Sequence, residues 1–140
     1  MSSPMQGRCL CGAVHYRIEG PFRRFMLCHC SRCRHATGSS HASNLFCKPD
    51  QLQWLSGAEQ VQRFKLQEAE RFGRSFCRTC GAPVPFVSED GTYVNVPAGS
   101  LDDAPGILPQ ARIFCASRAV WDDASMDAVP CFDAYPVDIS

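Results

Sequence analysis

The stretch Cys77-Arg78-Thr79-Cys80-Gly81-Ala82 repeats the pattern of Cys9-Leu10-Cys11-Gly12-Ala13 from near the start of the chain: two closely spaced cysteines with glycine directly after the second. A glycine there frees the backbone to adopt positive φ and turn nearby amides toward sulfur. Two matched knuckles suit one tetrahedral zinc ion with a closed shell of four thiolates. Cys9, Cys11, Cys77 and Cys80 are therefore assigned to one structural zinc joining segments more than sixty residues apart. Zinc sites of this kind contribute ~10–16 kcal/mol of apparent folding free energy in small peptides. Each doubling of a closed loop costs only ~0.6 kcal/mol. A thioredoxin-like redox pair at Cys77 and Cys80 would want a following helix, and Gly81-Ala82-Pro83 starts none.

Between the knuckles lies Cys28-His29-Cys30-Ser31-Arg32-Cys33, which brings the clustered cysteines to seven of the chain's ten. Three thiolates at i, i+2 and i+5 can reach one zinc and leave a coordination position for substrate or water. Zinc with three thiolates carries a net negative charge that calls for positive groups nearby; Arg32, Arg34, His29 and His35 lie in or beside the cluster. The competing reading is a second structural site closed from elsewhere, with His29, His35, His41, Cys47, Cys115 or Cys131 as candidate fourth ligands. His15 falls on the polar phase of a strand and reads as a surface residue.

Disulfides are the other use of clustered cysteines, but they belong to oxidising compartments. Met1 to Arg8 contain no apolar signal-peptide region, and no stretch approaches the ~18 apolar residues of a membrane span. In an extended segment the Cα atoms of Cys9 and Cys11 would lie roughly 6.6 Å apart, near the upper limit for a disulfide. The expectation is a reduced, cytoplasmic protein with no membrane partner. At 140 residues the chain suits a single domain over 1–140, and 45% apolar content supports a core. The formal net charge is zero, Lys48 and Lys65 are the only lysines, and the arginines are scattered, so the electrostatic footprint of a nucleic-acid partner is absent. No pattern specifies an oligomeric state.

The remaining signals are those of short strands. Val14, Tyr16 and Ile18 alternate with polar residues up to Gly20-Pro21. Phe22 to Leu27 runs apolar into the central cluster, and further strands are expected over 41–47, 51–55, 61–66, 71–76, 84–87, 93–96 and 112–115. Turn chemistry separates them at Lys48-Pro49-Asp50, Ser56-Gly57, Glu89-Asp90-Gly91 and Asp102-Asp103-Ala104-Pro105-Gly106. Helix is expected only as one turn over Ser31 to Thr37, stopped by Gly38, and another over Trp121 to Met126. The fold class is mainly β, with antiparallel sheets.

Gly7-x-Cys9-x-Cys11-Gly12-x-Val14, Cys28-His29-Cys30-Ser31-x-Cys33-Arg34, Phe76-Cys77-x-x-Cys80-Gly81, Gly99-Ser100-Leu101-Asp102-Asp103 and the late Trp121 together resemble the glutathione-dependent formaldehyde-activating enzyme family, which includes centromere protein V-like domains. The resemblance runs from about Gly7 to Pro136. It implies a fold of folded-over antiparallel sheets similar to that of a small zinc-binding chaperone of Rab GTPases. It also implies two zinc ions, one structural on Cys9, Cys11, Cys77 and Cys80, and one catalytic on Cys28, Cys30 and Cys33.

The activity implied is that of a carbon-sulfur lyase, reversibly joining a thiol such as glutathione to formaldehyde or a related small electrophile. Arg32 and Arg34, with Arg8, are candidate partners for the carboxylates of the thiol substrate, since a guanidinium fork meets a carboxylate in bidentate fashion. Asp102 and Asp103 read as a turn first and as catalytic carboxylates second. Cys47, Cys115 and Cys131 read as buried small hydrophobes. The alternative function is a non-catalytic zinc-stabilised binding module. An enzyme should keep the central metal position open toward a cleft, whereas a binding module should close it.

Overall fold

A computed structural model describes residues 3–136. Its strands run β1 (Met5–Arg8), β2 (His15–Ile18), β3 (Arg24–Cys28), β4 (Ala42–Cys47), β5 (Leu52–Ser56), β6 (Val61–Lys65), β7 (Gly73–Cys77), β8 (Pro83–Val84), β9 (Phe86–Val87), β10 (Val94–Pro97) and β11 (Ala111–Ile113), with one α-helix, α1 (Ser31–Thr37). They form three sheets in the orders β1-β2-β5, β11-β3-β4-β10-β9 and β6-β7-β8. All pairings are antiparallel except β11 with β3.

The alternation over residues 14–18 is borne out: Val14, Tyr16 and Ile18 are fully buried. Tyr16 and Ile18 join Phe25, Leu45, Val94 and Val96 in the main core, which sheets one and two share. Each such side chain contributes about 1.5–3 kcal/mol by leaving water. Val14 belongs instead to a smaller cluster with Cys9, Cys77 and Val84, so the first knuckle packs against the last two strands of the third sheet.

Strand β1 was not among the expected strands, because Met5-Gln6-Gly7-Arg8 carries only one large apolar residue. It forms by pairing with β2, Met5 opposite Ile18 and Gly7 opposite Tyr16. A Cβ on Gly7 would collide with the Tyr16 hydroxyl. The expected helical turn over Ser31–Thr37 is α1, closed by Gly38 at φ 67°, whose amide bonds to the Arg34 carbonyl. The turn expected over Trp121–Met126 lies further along, as a 3₁₀ turn over Ala124–Ala128. Asp123, with extended backbone, accepts from the Ser125 amide at 2.9 Å and so starts the turn after Trp121.

Candidate metal centres and the cleft beside them

Cys9 and Cys11 flank the turn between β1 and β2, while Cys77 ends β7 and Cys80 sits in the turn before β8. The four Sγ atoms all lie within 4.8 Å of one another, with Cys9–Cys11 at 3.7 Å and Cys11–Cys77 at 3.9 Å. A tetrahedral ion with Zn–S near 2.3 Å would set its sulfurs about 3.8 Å apart, so these donors fit zinc. The knuckles also share backbone closure. The Cys9 amide bonds to the Val14 carbonyl and the Cys77 amide to the Ala82 carbonyl, each at 3.0 Å. Gly12 and Gly81 have φ of 83° and 76°, and a Cβ on either would meet nothing within 4 Å. Conformation, not space, calls for glycine there.

Backbone amides address the sulfurs as the spacing implied. The Val14 amide donates to Cys9 Sγ at 3.3 Å. Amides of Ala82 and Cys11 bring the Cys80 thiol down to about 6. Burial raises the Cys9 thiol, but the Val14 amide and the sulfurs of Cys11 and Cys77 leave it lowered. The Ala13 amide would lower Cys11, but desolvation and three neighbouring sulfurs push it up to about 11. Four thiolates this close repel one another, and a bound cation relieves that repulsion.

The central cluster is built differently. Cys28 ends β3, Cys30 caps α1 with an extended backbone, and Cys33 lies in the helix's first turn. The Cys33 amide donates to Cys30 Sγ at 3.3 Å. Their sulfurs also lie within 4.8 Å of one another, close enough to hold one metal ion. Burial raises Cys28 and raises Cys33 strongly. Cys30 is lowered, because the Cys33 amide and the other two sulfurs outweigh its desolvation.

None of the candidate fourth ligands joins this group. The His29 ring makes its Nδ1 contact with the Leu27 carbonyl at 3.1 Å and approaches Asp122 Oδ2 at 3.3 Å through Nε2, without hydrogen-bond alignment. His41 stacks on His29 at 5.0 Å and bonds to Ser40. His35 bonds to the Ser31 carbonyl. Cys47 is buried in the main core, its thiol pushed up to about 11 by desolvation and by Asp50. Burial is thus found for Cys47 alone of the three extra cysteines: Cys115 and Cys131, expected as buried hydrophobes, are exposed, since the segments after β11 that carry them lie outside both cores.

Cys28, Cys30 and Cys33 line a cavity of about 810 Å³, together with Arg32, Asn44, Asn95, Phe72 and Phe114 among others. The volume is within the range of small-molecule sites, ~300–1,000 Å³. Of the arginines singled out in the sequence, Arg32 lines this cavity. Arg34 instead donates through Nε to the Ser117 carbonyl at 3.2 Å. Arg8 pairs with Asp102 at 3.5 Å, and Asp103 accepts from the Gln6 amide, so this aspartate pair braces the turn against β1.

Three features of the site had no signal in the sequence. Phe114, which lines the cavity, has φ 56°, the only positive φ outside glycine among the described residues and unfavourable for a bulky side chain. Asn95 lines the same cavity with a buried Oδ1 that has no partner. Asp122 is buried between His29 and Arg118, bracing the chain after β11 against the central knuckle.

Fold and site together define a mainly β protein with two cysteine centres able to hold a metal, one of which faces a cleft. The chain belongs to the family described as glutathione-dependent formaldehyde-activating enzyme, which it matches over residues 4–117. It is 30% identical over an alignment of 143 positions, covering 94% of this chain and 88% of the relative, to a Halomonas elongata protein named "Putative glutathione-dependent formaldehyde-activating enzyme". It is also similar to a Rhodobacter sphaeroides protein of known crystal structure, with a TM-score of 0.59 and 25% identity over 77% of this chain and 98% of that one. Among the described residues no helix is long and apolar enough to cross a membrane.

Proposed function

We propose that this chain is a zinc-dependent carbon-sulfur lyase working in the reduced cytoplasm, which reversibly joins glutathione or another low-molecular-weight thiol to formaldehyde or a related small electrophile. One observation carries the reading: three cysteine sulfurs converge without a fourth protein ligand at the wall of a cavity large enough for a thiol tripeptide. Family membership and the name of the Halomonas elongata relative support the same chemistry.

In this reading Cys9, Cys11, Cys77 and Cys80 hold a structural zinc, and Cys28, Cys30 and Cys33 hold the catalytic one. Zinc, when bound there, supplies positive charge that lowers the pKa of a substrate thiol and can polarise an aldehyde oxygen. The remaining work falls to the chain. Arg32, between two of the ligands and on the cavity wall, binds a carboxylate of the thiol in bidentate fashion. Phe72 and Phe114 cover the apolar part of the substrate and exclude water. Arg34 positions rather than binds, since its bond to Ser117 holds the turn that follows Phe114.

Cobalt substitution provides the test. Glutathione should change the cobalt-thiolate absorption of the three-cysteine centre and leave that of the four-cysteine centre unchanged. Adding formaldehyde should give adduct formation above the rate of a Cys30→Ser control, a comparison that removes the spontaneous reaction. Failure of several cellular thiols to perturb fully metallated protein would overturn the enzyme reading in favour of a zinc-stabilised binding module.

A further inference from the structure

A second cavity, of about 590 Å³, adjoins the cysteine cleft, with Ser31, Arg32 and Phe72 lining both. It lies between α1 and the β6–β7 hairpin. Its apolar walls come from Phe64, Phe72 and Phe76, and Arg32, Arg74 and His35 bring charged side chains to it, with no carboxylate in its lining. Phe64 and Phe76 share one face of the hairpin with Arg74, whereas Arg63 lies on the other face, its guanidinium 4.4 Å from the centroid of the Phe86 ring. The Arg74 guanidinium lies 5.5 Å from the Phe76 ring centroid and donates to the Ala36 carbonyl at 2.6 Å. Phe64 remains 51% exposed. Aromatic walls with a few convergent charged groups are the composition of a ligand pocket. Guanidinium groups without acidic neighbours in the lining favour an oxyanion such as a carboxylate.

Formaldehyde, a single carbon and its oxygen, needs neither the aromatic walls nor the arginines. The cysteine cleft alone has room for the thiol. We infer that the adjoining cavity receives the body and terminal carboxylate of a larger electrophile, so that the aldehyde joined to the thiol is a carboxylate-bearing aromatic or long-chain aldehyde. This rests on the thiol-addition reading above and names its second substrate class. The chemistry balances without a further reactant. The thiol sulfur forms a bond to the carbonyl carbon, the C=O π pair moves to oxygen, and that oxygen takes up the proton the thiol gave up; nothing is oxidised or reduced.

The test uses 4-methylbenzoate, an unreactive stand-in for 4-formylbenzoate, titrated into metal-loaded protein by calorimetry. Saturable one-to-one binding is expected, weakened by about tenfold or more in Arg74→Gln and in Phe64→Ala. The two residues pair across the hairpin on the face that lines the cavity, and unchanged far-ultraviolet circular dichroism verifies the fold. With glutathione, 4-formylbenzoate should form adduct faster than benzaldehyde; Arg74→Gln should remove that preference, and Arg63→Gln, on the opposite face, should keep it. Absence of saturable binding, or binding that neither variant weakens, overturns the inference. The two readings fail separately. A cobalt spectrum that responds to glutathione in a protein that ignores 4-methylbenzoate leaves the thiol reading standing and sinks this one. Variant-sensitive benzoate binding with no cobalt response to any thiol keeps the anion cavity and removes its place in thiol addition.

Discussion

The two cysteine centres offer similar donors in different mechanical settings. Cys9 and Cys77 are buried in the small second core with Val14 and Val84, and their knuckles come from strands far apart in sequence. Cys28, Cys30 and Cys33 come from one strand end and one helical turn, held together by local hydrogen bonds, and they line a cavity. A metal on the first centre closes a long loop and joins two sheets. On the second it closes almost no loop and sits where solvent and small molecules can reach. In the function proposed above, the same thiolate chemistry would serve as a staple in one place and as a reactive group in the other, according to what the ligands connect.

The sharpest way to break that comparison is to remove one ligand from each centre. Cys80→Ser should unfold much of the protein, because the ~10–16 kcal/mol available to a structural zinc is comparable with the whole 5–15 kcal/mol stability typical of a domain. Cys30→Ser should cost one metal equivalent and leave the thermal transition largely in place. Metal analysis alongside calorimetry reads both, and equal losses of stability would erase the distinction.

Asp122→Ala should have the next largest effect, about 1–3 kcal/mol, because it leaves the buried His29 and the half-buried Arg118 without the carboxylate between them. The loss should loosen the central knuckle and leave the four-cysteine centre intact. Faster chelator removal of one metal, with the other unchanged, would show this. Gly81→Ala should be milder, about 1–2 kcal/mol, since the cost is the positive φ and not a clash. It should weaken the four-cysteine centre alone, as read by the denaturation midpoint.

Acidification should discriminate the centres with the smallest structural disturbance. Metal binding requires thiolates, so a thiol with a raised pKa lets protons compete at higher pH. Cys28 and Cys33 are raised, whereas Cys9 is lowered and Cys80 sits near 6; the lowered Cys30 in one centre and Cys11, near 11, in the other work in the opposite direction. As the pH falls toward about 6, the three-cysteine cobalt band should fade first. In metal-free protein the depressed Cys80 stabilises the fold above its unfolded-state value. That contribution should decline as the pH falls through the thiol range to about 6.

Much of this organisation could be read from residue order alone. Cysteine spacing and the following glycines separated four ligands from three. Alternation at Val14, Tyr16 and Ile18 located a strand and its buried face, and Gly38 located the end of α1. These features are local, set by side-chain period and backbone freedom within a few residues. Only the tertiary structure could provide the rest. Strand β1 exists because β2 pairs with it, and the parallel β11 brings Phe114 to the cleft in a backbone conformation its own sequence disfavours. It also turns Arg34 toward Ser117 while Arg32 stays on the cavity wall, and sets Asp122 against His29. Whether the central metal position stays open depends on which distant side chains come within reach of three sulfurs, and sequence spacing holds no information about that distance.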